Sequence, residues 1–123
     1  VRTAELRRLL CSELAEELRH SPRILREYPF TLLMDAREAD PAAAAGDEIL
    51  LQGIVDCCFE QPDGSLAVVD FKTDRVSGEA LRRRVEQYRP QLTAYSAALT
   101  RVLERPVTRR VLYFLHTGMA VEV

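Results

Sequence analysis

The sequence predicts one mixed α/β domain, a small central β-sheet flanked by helices. Three observations point there. The chain opens with leucines at helical spacing, its middle holds two apolar runs joined by a Pro-Asp-Gly turn, and a long helical stretch is followed by two further strand-like runs. At 123 residues the chain has the length of a single domain, residues 1–123.

Taken in order, Leu6, Leu9, Leu10, Leu14 and Leu18 recur at three- and four-residue spacing and predict a helix over residues 3–19, ended by Ser21-Pro22. Residues 26–35 read as extended, because Pro29 discourages a helix and bulky residues dominate. Ala39 to Asp47 is rich in small residues and reads as a flexible surface loop. Ile49–Phe59 and Leu66–Lys72 are strand-like, and Gln61-Pro62-Asp63-Gly64 between them makes a β-hairpin. Helical patterns run from about residue 79 to 88 and from 90 to 103, with Pro90 in the first turn of the second and Pro106 after its end. Residues 107–115 and 119–123 close the chain as strands, and no internal repeat is present.

Composition excludes several classes. The sequence is 47% hydrophobic and 29% charged, which is ordinary for a globular chain rather than a low-complexity or collagen-like one. No run approaches the roughly 18 apolar residues of a membrane span, and no basic-then-apolar leader opens the chain, so a cytoplasmic protein without a membrane role is expected. Seventeen basic against nineteen acidic residues give a net charge of −2, so any nucleic-acid contact must come from local patches. Three cysteines, two of them adjacent (Cys57, Cys58), form neither a disulfide framework nor a zinc knuckle, and reduced thiols are expected. There is no P-loop, so this segment holds no ATPase of the usual kind. The chain begins at Val1 rather than a methionine, and the expectation is a piece of something longer.

The chemistry concentrates at Asp70-Phe71-Lys72. Alternation along a strand puts Asp70 and Lys72 on one face and Phe71 on the other. A plain ion pair at a strand end is one reading. Asp56 opens another, because it is the lone charge between Gly53 and Phe59 and the hairpin brings it near Asp70. Two carboxylates in an apolar setting repel unless a cation lies between them. Mg²⁺ suits such a pair, since it commonly uses one or two protein carboxylates and completes its shell with water and phosphate. Lys72 beside the ion could orient or deprotonate an attacking water or neutralise transition-state charge, a pattern for metal-assisted phosphodiester hydrolysis. Sixteen of the seventeen basic residues are arginine, so the one lysine stands where a compact amine has a role that a guanidinium cannot fill.

Gly53-Ile54-Val55-Asp56, Asp70-Phe71-Lys72-Thr73-Asp74 and Gln91-Leu92-Thr93-Ala94-Tyr95, in this order, resemble the motifs of the PD-(D/E)xK nuclease superfamily. Within it they resemble the RecB-like nuclease domain at the C-terminus of AddA-type helicase–nucleases, as does the upstream Arg26-Glu27-Tyr28-Pro29-Phe30. The resemblance spans roughly residues 24–115. It implies a restriction-endonuclease-like core and an Mg²⁺ or Mn²⁺ ion held by Asp56, Asp70 and the Phe71 carbonyl. It implies also that Lys72 is the catalytic lysine, that Glu27 lines the site, and that Gln91 and Tyr95 organise it and contact DNA. Read from the residues alone, Glu27 is equally a solvated strand residue, and Gln91 with Tyr95 a helix–sheet packing pair. Arg82, Arg83, Arg84, Arg89, Arg109 and Arg110 could touch DNA phosphates or simply solvate their faces.

The family also carries a metal-binding histidine on an upstream helix. His20 ends the first helix too near Glu27 to match it, and His116 reads as a turn residue. The expectation is therefore that this ligand precedes Val1, and that the isolated chain binds metal weakly and cuts poorly. The resemblance implies the exonuclease module of an ATP-dependent helicase–nuclease that processes DNA double-strand breaks. Such a module is fed a single strand by a motor and works with an AddB-type partner. The alternatives are a stand-alone RecB-like exonuclease and a degenerate nuclease fold kept as a docking platform.

Overall fold

A computed structural model describes residues 3–123, leaving Val1 and Arg2 outside the described residues. The elements are α1 (Thr3–Leu10), α2 (Glu13–His20), β1 (Ile24–Asp35), α3 (Ala36–Ala39), β2 (Glu48–Glu60), β3 (Leu66–Lys72), α4 (Gly78–Leu103), β4 (Val107–Phe114) and β5 (Met119–Glu122). The strands form one mixed sheet in the order β1-β2-β3-β4-β5. All neighbours are antiparallel except β3 and β4, which are parallel and are joined, as parallel strands must be, by a crossover through α4.

Apolar residues on alternate strand positions build two cores. Val68, Leu112 and Phe114 pack under Leu81, Val85, Leu92 and Leu99 of α4, which lie on one stripe of that helix. Ala67, Val69, Val111 and Tyr113 pack on the opposite face with Leu14 of α2 and the flanking Leu9 and Leu18. The result is a three-layer α/β/α domain. The expected turn is present, with Gly64 at φ +87° and Asp63 Oδ1 accepting from the Ser65 N–H.

Two expectations are corrected, and two features that the sequence did not specify are added. The single helix over residues 3–19 is two helices, because the Ser12 hydroxyl caps α2 by accepting from the Ala15 N–H at 3.2 Å and so starts a new helix there. The expected pair of helices around Pro90 is one helix of 26 residues. Pro90 lies on its exposed side, where water can reach the carbonyl of Glu86 that its missing N–H leaves unbonded. A short helix, α3, stands just before the expected loop and shares only Ala39 with it. Finally, the second strand is not buried along its length: Leu50 and Ile54 are exposed and only Val55 and Cys57–Phe59 are core.

That change of burial marks the feature that positions the site. β1 and β2 pair from Ile24↔Phe59 to Asp35↔Glu48, but β2 pairs with β3 only over Cys57↔Val69 to Glu60↔Leu66. β3 meanwhile stays with β4 as far as Lys72↔Phe114, so the sheet forks at Asp56 and Asp70. Alternation slips at the same place. Val55 packs in the α4-side core and Cys57 in the other, although residues two apart on a regular strand share a face. On β1, Glu27 has φ +45°, an uncommon conformation for a side-chain-bearing residue, and falls between the pairs Arg26↔Cys57 and Tyr28↔Val55. Pro29, two residues on, is tolerated because β1 is an edge strand.

Candidate active site

β3 is buried from Leu66 to Val69 and then ends in two charges on its α4 face. The Lys72 Nζ lies 2.8 Å from Asp70 Oδ2, with these side chains only 18% and 22% exposed. Asp56 reaches across the fork, and its Oδ2 accepts the Phe71 N–H at 2.9 Å. The Asp70 carboxyl stands close to that of Asp56 across the fork. Burial, and then Asp56, push the Asp70 pKa up to about 6 against the opposing pull of Lys72. The Phe71 ring turns to the other face and meets Tyr113 edge-on at 6.0 Å. Asp56, Asp70, Phe71 and Lys72 are thus brought together at one point.

Glu27 and Asp56 open into a shared cleft of about 500 Å³, walled by Leu18 of α2 and Phe71. Gln91 and Tyr95 form a unit of their own on α4, where Gln91 Nε2 lies 3.3 Å from the Tyr95 hydroxyl. The Tyr95 ring meets Phe30 edge-on at 5.1 Å and lies over Gly53. A Cβ at Gly53 would come within 2.6 Å of Tyr95 Cζ, so the glycine three residues before Asp56 makes room for the tyrosine. Sequence reasoning missed a further contact. The Lys72 Nζ sits 4.0 Å from the centroid of the Tyr88 ring, and the Tyr88 hydroxyl donates to Asp74 Oδ1 at 2.9 Å. Tyr88 and Tyr95 are seven residues apart, two helical turns on one face, which was the signal available.

A family model described as the PD-(D/E)XK nuclease superfamily matches residues 1–122. The chain belongs to that superfamily. Among curated relatives, an ATP-dependent helicase/nuclease of Bacillus cereus (strain ATCC 10987 / NRS 248) is 35% identical over 121 residues, 91% of this chain and 10% of that protein. The protein of the same name from Desulforudis audaxviator (strain MP104C) is 41% identical over 99 residues, 79% of this chain and 8% of that protein. The chain spans about a tenth of the length of these relatives.

Within this PD-(D/E)XK nuclease domain, several residues take plain roles. Burial pushes the thiols of Cys57 and Cys58 up to about 11, so both remain protonated core residues. His20 caps the end of α2 through the Glu16 carbonyl, at 2.9 Å, and His116 pairs with Glu5 at 3.0 Å in the β4–β5 turn. Arg82, Arg84, Arg89 and Arg109 each stand against a carboxylate: Glu79, Asp74, Glu86 and Glu17 respectively. Their charge is largely answered within the chain, so these four arginines make no broad basic face. Among the described residues no helix is long and apolar enough to cross a membrane.

The donor set fits a hard divalent ion. Asp56 and Asp70 offer carboxylate oxygens near one another at the fork, with the Lys72 ammonium beside Asp70. Among the described residues no three His, Cys, Asp or Glu side chains converge as a metal cluster. Carboxylate oxygens of this kind suit a hard divalent cation.

Proposed function

We propose that this domain is a divalent-metal-dependent DNA exonuclease that hydrolyses phosphodiester bonds. The observation that carries the reading is the juxtaposition of Asp56, Asp70 and Lys72 at the fork, with Asp70 and Lys72 2.8 Å apart. Asp56 and Asp70 would hold Mg²⁺ or Mn²⁺, with the Phe71 carbonyl a third oxygen. The bound ion supplies Lewis-acid chemistry at a phosphate oxygen and lowers the pKa of an attacking water. Lys72, fixed by Asp70, places a compact positive charge where the phosphate gains negative charge in the transition state. Asp56 is itself oriented by the Phe71 N–H, so both carboxylates have a defined direction before substrate arrives. Glu27 lines the entry to the cleft, and Tyr95 with Gln91 keeps α4 seated on β2 so that the fork stays open.

The names of the relatives support a wider reading, in which the domain is the C-terminal nuclease part of an ATP-dependent helicase–nuclease. There it would act in cytoplasmic double-strand break processing and recombinational repair, on a single strand fed by the motor and beside an AddB-type partner. End-labelled linear and covalently closed circular single-stranded DNA, each incubated with the chain and Mn²⁺, test the exonuclease claim. Loss of the linear substrate alone is expected, and cutting of the circle at an equal rate would overturn exonuclease action.

A further inference from the structure

We propose that Tyr88 is a positioning residue for Lys72, held in turn by Asp74 and Arg84. The inference rests on the nuclease reading only for what Lys72 does. The contact itself stands on geometry. A lysine side chain has four rotatable carbon–carbon bonds, and one ion pair to Asp70 does not by itself choose among its rotamers. The face of the Tyr88 ring, 4.0 Å from Nζ, supplies a second point of attachment through its negative quadrupole. The ring is in turn fixed from behind. Its hydroxyl donates to both Asp74 oxygens, at 2.9 and 3.1 Å, and Arg84 Nε lies 3.4 Å from Asp74 Oδ2. Asp74 sits just beyond β3 and Arg84 and Tyr88 lie on α4, so the chain of contacts also ties the helix to the strand end that carries the site.

Lys72 is the one lysine of the chain, so in a sample labelled selectively with ¹³C-lysine its εCH₂ proton and carbon resonances are identified without ambiguity. The ring current of Tyr88 should shift these protons upfield of the free-lysine position. The shift is expected to shrink in Tyr88→Phe, which keeps the ring but loses its bond to Asp74, to shrink likewise in Asp74→Ala, which removes the acceptor, and to vanish in Tyr88→Leu. Lysine resonances at the free position in the wild type, or unchanged in Tyr88→Leu, would overturn the proposal. Should Tyr88→Leu fail to fold, as judged by its amide spectrum, Asp74→Ala decides, and an unchanged lysine signal there overturns the proposal that Asp74 holds the ring in place.

Metal-dependent cleavage provides a second readout. Tyr88→Leu should lose about 2- to 30-fold in kcat, the range of a cation–π contact, with KM little changed. Tyr88→Phe should recover most of that loss, and wild-type kcat in Tyr88→Leu would overturn positioning. Absence of cleavage by the wild type counts against the nuclease reading, while the lysine resonances still judge the contact.

Discussion

Asp70 is the side chain on which the site's electrostatics turn. Its folded pKa is raised from 3.8 to about 6, first by burial and then by Asp56. Between those values the folded chain keeps a proton that the unfolded chain has released. The contribution of Asp70 to stability is therefore full below its unfolded pKa and declines as pH rises to about 6. Urea unfolding of the metal-free chain across this window should show that decline, and Asp70→Asn should flatten it. A slope unchanged in the variant would assign the proton elsewhere. Gly53 carries the other prediction at this scale. Gly53→Ala forces its Cβ against the Tyr95 ring and should destabilise by about 1–3 kcal/mol in urea unfolding.

Among the elements, α4 does most to place the site, since it covers one face of the sheet and carries Tyr88, Gln91 and Tyr95. Pro90 interrupts its hydrogen-bond ladder on the exposed side, so Pro90→Ala should restore one bond and raise stability by about 1–3 kcal/mol, read as the shift of the urea midpoint. Sheet strands and the hairpin were legible in the sequence because period-two alternation and Asp63-Gly64 are local signals. So were Asp56, Asp70 and Lys72, since charges that interrupt apolar runs stand out. The break at Ser12 and the continuity through Pro90 were not, because each is decided by which side of a helix meets solvent. The slip in alternation at Val55–Cys57 was hidden too, as it depends on how two strands part and not on residue type. Tyr88 escaped for a related reason. Its contact with Lys72 needs the rotation of α4 over the sheet, which helix periodicity alone does not specify.

At the scale of the whole molecule, a three-layer domain with net charge −2 offers little general attraction for DNA. Recognition must then come from the site itself and from whatever surrounds this domain in proteins such as its relatives, of which it spans about a tenth. Under the proposed function, this chain alone should cleave slowly through local chemistry at the fork. The most direct measurement follows end-labelled linear single-stranded DNA incubated with the folded chain and excess Mg²⁺ or Mn²⁺, beside its Lys72→Ala variant. Cleavage should require the metal, stop with a chelator and fall by about 100-fold or more in the variant, the scale of losing one preorganised transition-state charge. Cleavage that persists unchanged without Lys72, or no cleavage at all by the folded chain with saturating metal, would overturn the assignment of catalysis to the fork.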